Sequence, residues 1–301
     1  MFRKLPVLGK NLSANLCRSG VQCFRSQIFR QVQTKNSSNE QDVEEKLTHF
    51  GFETVNEDVK AQKVHKVFED VANSYDLMND IMSMGIQRLW KDDFMEELGP
   101  TPGTKLLDMA GGTGDIAFRY LKYLKNGKNP DKRQSHLTIG DINQHMLNVG
   151  KTRAEKMGLT NPDYCKVEWL LADAENLQFD DNTFSAYTIS FGMRNCTHID
   201  RVLKEAYRVL APGGRFLCLE FTQVPNETLR KIYDFYSFEV IPPMGQILAG
   251  QWQPYQYLVE SIRRFPPQEK FKEMIRKAGF NQVTHRDLTF GITAIHSGFK
   301  F

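Results

Sequence analysis

Gly111, Gly112 and Gly114 fall within four positions, directly after an apolar run that carries an acid, in residues 104–115, TKLLDMAGGTGD. Glycine lets a backbone turn sharply and come close to a ligand, because no Cβ stands in the way. The run 105–109 is too short for a helix and is set off by Pro102-Gly103, so it reads as a buried parallel strand. A helix from about 115 to 125 then aims its free N–H groups at the same space. Gly112 to Ala117 also fits the G-x-G-x-x-G/A dinucleotide pattern, so the loop by itself does not name its cofactor. Asp108, just before the loop, suits a cationic sulfonium or amino group and suits a pyrophosphate badly.

The other residues able to do chemistry fall at the ends of further apolar runs. HLTIGD, 136–141, reads as a second strand ending at Asp141, 27 residues after Gly114, with the polar insert 126–134 accounting for the long spacing. An acid at that place lies beside the first loop and accepts bonds from ribose hydroxyls. A third strand, 167–177, is expected to deliver Asp173 and Ala174. A fourth, 184–190 (FSAYTIS), ends at Ser190 and leads to Arg194, Asn195 and His198. A fifth, 215–221, carries Glu220. Cys17, Cys23, Cys165, Cys196 and Cys218 show no C-x-x-C spacing, so neither a disulfide framework nor a metal site is suggested.

The elements that position these residues alternate. Helices are expected at 143–157 and 199–210, the second stopped by Ala211-Pro-Gly-Gly. Strands alternating with helices imply a doubly wound, mostly parallel α/β sheet. A helix at 267–278 and β-like runs at 281–288 and 291–298 finish the chain, the last two pairing as an antiparallel hairpin, for seven strands in a Rossmann-like sheet. Ahead of the first strand, 35–56 reads as a linker. Helical spacing then begins near Glu57, with Val59, Val64, Val67, Phe68 and Val71 able to share one face. The Met- and aromatic-rich stretch 72–91 is too irregular for one helix and is expected to cover the glycine loop. Residues 226–264 break the alternation and read as an inserted second cover, a helix carrying Tyr233 and Phe235 followed by a stretch without clean period.

Residues 1–39 differ from the rest. They hold seven Lys and Arg, no acid, and scattered Ser among Leu, Val, Ile and Phe, the pattern of a mitochondrial presequence. The expected organisation is therefore a transit peptide and linker over 1–39 and one catalytic domain over 40–301. Without the seven basic residues the chain carries 32 Lys and Arg against 36 Asp and Glu, so its net charge of +3 becomes about −4. The basic balance belongs to the leader and gives no reason to expect a nucleic-acid surface.

The motifs SYDLMNDIMSMGIQRLW (74–90), LLDMAGGTGD, DINQHML, NTFSAYTISFGMRN and YRVLAPGGRFLCLEFT (207–222) together resemble the class I S-adenosylmethionine-dependent methyltransferases, and within them the ubiquinone/menaquinone biosynthesis C-methyltransferases. The resemblance covers roughly residues 50–301. It departs at Gln87, Ala211 and Thr222, where the family usually has His, Lys and Ser, and Gln87 argues against a general base at that position. It implies an enzyme that uses S-adenosylmethionine, held by Thr113 at the loop, Asp141 at the ribose, Asp173 and Ala174 at the adenine, and Ser190; Gly111, Gly112 and Asp108 are added to that set from the reading of the loop itself. It implies C-methylation of a polyprenyl benzoquinol at the matrix side of the inner mitochondrial membrane, beside other enzymes of quinone synthesis, and leaves a homodimer open. A ring carbon attacks only if its quinol oxygen becomes negative. Arg194 and Asn195 are expected to hold that oxygen, directly or through a water, and Tyr75 to close the site; His198 and Glu220 are the reserve candidates. The rival readings are an NAD-dependent oxidoreductase and a non-catalytic scaffold of the same fold.

Overall fold

The computed structural model describes residues 46–71, 75–127, 133–160 and 162–301. The expected presequence lies outside the described residues. Seven strands form one sheet in the order β5-β4-β3-β6-β7-β9-β8. They are β3 (Lys105–Met109), β4 (Ser135–Asp141), β5 (Cys165–Leu171), β6 (Phe184–Ser190), β7 (Leu210–Phe221), β8 (Asn281–Leu288) and β9 (Thr293–Phe299). β3 to β7 run parallel, and β9 inserts antiparallel between β7 and β8. The doubly wound, mostly parallel sheet with a terminal hairpin stands as expected.

The pleat explains the two cores. Successive strand side chains point to opposite faces, so Leu106 packs with Leu137, Ile139 and Leu219, while its neighbour Leu107 packs with Tyr187, Ile189 and Phe216 on the other side. The first face is closed by Trp90 and Phe94 of α3 (Ile86–Leu98), by Ile116 and Tyr120 of α4 (Asp115–Asn126) and by Leu147 of α5 (Gln144–Lys156). The second is closed by Val202, Leu203 and Ala206 of α6 (Ile199–Val209) and by Phe271 and Ile275 of α10 (Gln268–Lys277). Burying a Leu or Phe side chain stabilises by roughly 1.5–3 kcal/mol, and Leu106, Leu107, Leu137 and Ile139 are wholly buried. The sheet is the rigid frame.

The covers form a smaller cluster of their own, with Met78 and Met82 of α2 (Tyr75–Met82) packed against Ile241, Tyr255 and Val259. The described part of the stretch 72–91, from Tyr75 on, does break into two helices, α2 and α3, joined by a turn at 83–85. The second cover is more regular than expected. It runs through α7 (Glu227–Phe235), a π-helical turn (Tyr236–Val240), α8 (Ile241–Ala249) and α9 (Gln253–Arg264). Its period is blurred because α8 carries apolar residues on its outer side as well, Ile247 and Leu248 being exposed.

Three other expectations are corrected. The supposed linker contains an antiparallel hairpin, β1 (Leu47–Phe50) and β2 (Glu53–Asn56), turned at Gly51 with φ +58°. It is anchored by Phe50 stacked on Tyr257 at 4.1 Å and by Phe52 N–H donating to Glu260 Oε2 at 2.9 Å. In α1 (Glu57–Val71) Val59 faces solvent, and Lys60 is buried, its Nζ donating to the Cys196 carbonyl at 3.0 Å. β5 stops at Leu171, so Asp173 lies in the loop beyond it, its Oδ1 accepting from Glu175 N–H at 2.9 Å.

Candidate functional site

At the C-terminal ends of β3, β4, β5 and β6 lies a cavity of about 610 Å³. Its floor is the glycine loop, its sides are Asp141, the 172–175 loop and the 190–198 segment, and its roof is α1 with Tyr75 and Asp76. Every residue assigned to the cofactor from sequence lines it: Asp108, Gly111, Gly112, Thr113, Asp141, Asp173, Ala174 and Ser190. Strand ends at a topological switch point are where such sheets bind ligands.

The glycines are required by contact. A Cβ on Gly111 would stand 2.4 Å from Ile139 Cγ2 and 3.1 Å from Asp108 Oδ2, and Gly112 has φ +52°. Asp141 is fixed by two backbone donors, Gly112 N–H to Oδ2 at 2.9 Å and Asn143 N–H to Oδ1 at 2.8 Å. Burial pushes its carboxyl up to about 6, against the pull of those two bonds. Asp108 is buried more deeply. Its Oδ1 accepts from Thr188 Oγ1 at 2.8 Å while Oδ2 is buried with no partner, and burial pushes the group up to about 7. Ser190 Oγ is likewise buried without a partner.

These features fit S-adenosylmethionine. An orphaned carboxylate oxygen and an unpartnered hydroxyl await a cation and its polar neighbours. Asp108, Asp141, Asp173 and Glu175 together make the wall acidic, and the wall's buried Lys91 is spent on Asp115 at 2.7 Å. A pyrophosphate would meet that acidity unfavourably, so the oxidoreductase reading loses its support.

A second cavity, about 200 Å³ and largely apolar, abuts the first and shares Phe68, Tyr75 and Phe191 with it. Met78, Trp90, Phe221 and Tyr233 are among its walls, and both covers contribute. The two expected acceptor-holding residues, in the short 3₁₀ turn Met193–Asn195, separate here. Arg194 lines the apolar cavity and Asn195 the larger, acidic one, and Asn195 Oδ1 accepts from Tyr257 OH at 3.0 Å. Arg194 is also more structural than expected. Its Nη1 donates to Oε1 of the fully buried Glu220 at 2.8 Å, its own backbone N–H donates to Oε2, and its guanidinium lies over Phe221. Nε remains buried and without a partner. Glu220 is thereby committed to Arg194, which removes it as a free base.

His198 starts α6, as its position suggested, and also ties down the roof. Nδ1 meets Glu175 Oε2 at 2.6 Å and Nε2 meets Glu57 Oε1 at 2.9 Å. Gln87 serves the cover turn, donating to Asp80 Oδ1 at 3.0 Å. Sequence reasoning missed Asp76, whose carboxylate accepts from Thr113 Oγ1 at 3.1 Å and Arg153 Nη1 at 2.6 Å. Its neighbour Tyr75 carried the signal.

Comparison with known proteins agrees with this geometry. The family model described as the ubiE/COQ5 methyltransferase family matches residues 56–300. A Drosophila melanogaster protein named 2-methoxy-6-polyprenyl-1,4-benzoquinol methylase, mitochondrial, is 68% identical over 258 residues, 85% of this chain and 86% of that one. The human protein of that name is 53% identical over 279 residues, 84% of each chain. Among solved structures, an S-adenosylmethionine-dependent methyltransferase of Thermotoga maritima superposes with a TM-score of 0.54 at 19% identity, over 79% of this chain and all of that one. The [4+2]-cyclase SpnF does so with 0.56 at 17%, over 80% and 96%; at such identity the likeness is one of fold. The acidic, glycine-floored cavity and these matches lead to one conclusion: the chain belongs to the ubiE/COQ5 methyltransferase family and uses S-adenosylmethionine as its methyl donor.

Proposed function

We propose that this chain methylates a ring carbon of 2-methoxy-6-polyprenyl-1,4-benzoquinol in ubiquinone synthesis, inside the mitochondrion. The observation that carries the reading is the apolar cavity meeting the acidic one at Tyr75 and Phe191, with a single guanidinium at its wall. The names of the Drosophila and human relatives support the same acceptor.

Bound, S-adenosylmethionine supplies an electrophilic methyl group on a cationic sulfur that leaves neutral. The glycine loop, Asp141 and Asp108 hold and orient it, and orientation of two reactants is worth several kcal/mol of barrier by itself. Phe68, Tyr75 and Phe191 line the junction and exclude water from the reacting atoms. Arg194 holds the quinol oxygen as it becomes negative, through its free Nε. It stays protonated, so it acts as an electrostatic partner and leaves the proton to a water. Asn195, held by Tyr257, fixes the turn that presents Arg194.

A cavity of this size takes a ring and leaves a long tail outside. No helix among the described residues is long and apolar enough to cross a membrane. The exposed Leu77, Met84, Ile247 and Leu248 on the covers suit peripheral contact with the inner membrane from the matrix side. Association with other enzymes of quinone synthesis, and with a second copy of the chain, belongs to the same proposal. The test is methyl transfer from labelled S-adenosylmethionine to a short-tailed demethylated benzoquinol, with the product's new carbon located by NMR. A methyl ether in place of a ring methyl overturns the reading.

A further inference from the structure

We infer that Asp76 is a positioning residue that couples the glycine loop to the wall of the apolar cavity, so that filling the first cavity orders the second. Calling the second cavity the acceptor site rests on the proposed function; the coupling itself does not.

Asp76 and Tyr75 stand side by side in the first turn of α2. Tyr75 lines both cavities. Asp76 accepts from Thr113 Oγ1, in the glycine loop, at 3.1 Å and from Arg153 Nη1, on α5, at 2.6 Å. Arg153 closes the triangle by donating to the Thr113 carbonyl at 3.0 Å, and its guanidinium lies over Phe118. One carboxylate therefore joins three elements: the cover, the loop that cradles the cofactor, and the helix that follows Asp141.

The rest of α2 belongs to the other site. Met78 and Met82 line the apolar cavity and pack on Ile241 and Tyr255 of the second cover, and Tyr236 OH donates to the Met82 carbonyl at 2.7 Å. The helix thus spans from the glycine loop to the far wall of the apolar cavity. The Asp76 and Arg153 side chains are 38% and 32% exposed, and an ion pair so wetted adds little to global stability. Its effect falls on where Tyr75 and the α2 methionines stand. A ligand that steadies Thr113 favours the arrangement in which Asp76 is engaged, and by reciprocity the engaged arrangement favours the ligand.

The experiment combines hydrogen exchange over residues 75–82 with calorimetric titration of S-adenosylhomocysteine, in wild type, Asp76→Asn and Asp76→Glu. Wild type is expected to gain protection in this segment on binding. Asp76→Asn is expected to lose that gain and to bind roughly five- to twentyfold more weakly, with a melting temperature within about 3 °C of wild type. Asp76→Glu, which keeps the charge, should recover part of both. The inference is overturned if ligand leaves wild-type protection over 75–82 unchanged, or if Asp76→Asn couples and binds as wild type does. It is also overturned if weaker binding comes only with a large fall in melting temperature and Asp76→Glu rescues neither. No acceptor is present, so an error about the quinol would not alter the result.

Discussion

At Arg194 the proposed chemistry and the architecture of the fold meet in one side chain, and two variants are needed to separate them. Arg194→Ala leaves Glu220, which is fully buried, without its counter-charge. Breaking a buried pair from one side costs roughly 3–5 kcal/mol. Glu220 keeps two backbone donors, Arg194 N–H at 3.2 Å and Phe221 N–H at 2.9 Å, so the lower end, about 3 kcal/mol, is expected. For a chain of this size that is a fall in melting temperature of roughly 6–12 °C. Turnover should drop by about two to three orders of magnitude, the scale of losing one preorganised partner of a developing negative charge. Since the single variant mixes both effects, Arg194→Met with Glu220→Gln is the decisive protein. It removes both charges, keeps an acceptor for the backbone donors, and should melt near wild type. Calorimetry of unfolding and single-turnover methyl transfer read the two quantities. A double variant that is stable and within about tenfold of wild-type turnover would confine Arg194 to holding the fold.

Asp141→Ala loses a carboxylate expected to bind ribose hydroxyls, each charged bond worth ~1.5–3 kcal/mol, and should weaken S-adenosylmethionine roughly ten- to a hundredfold by titration calorimetry. Asp108 and Asp141 are raised from 3.8 to about 7 and about 6. Their contribution to apoprotein stability is therefore fully present below pH 3.8 and lost as pH rises through 6 to 7. A cationic ligand prefers the ionised acid, so its affinity should rise over that window, and Asp108→Asn should flatten the profile. Removing residues 1–39 should leave the melting transition in place and abolish uptake by isolated mitochondria; a truncated chain that still enters would end the presequence reading.

The sheet was legible because buried parallel strands are short, apolar and punctuated, and the glycine loop marks a sharp turn under the larger cavity. The residues expected to hold the cofactor line one cavity, since each stands at or just past a strand end. What escaped notice depended on neighbours far away in sequence. Arg194 meets Glu220 only because β6 and β7 lie side by side. Asp76 meets Arg153 across 77 positions, and no local pattern announces it. The hairpin at 47–56 is short and mostly half-exposed or exposed, too weakly alternating to be seen. The second cover lost its helical signature because its outer side is also apolar.

The place of β9 has a consequence for how the protein is made. It follows β8 in the chain, yet it sits inside the sheet, paired along its length with β7 and β8, and the pairing runs on to Lys300, whose N–H and carbonyl bond Gly214 and Gly213. Until β9 docks, β7 presents an open edge and β8 has nothing to pair with. All the other strands of the sheet precede β9 in the chain, so that side of the sheet stays open until late in synthesis.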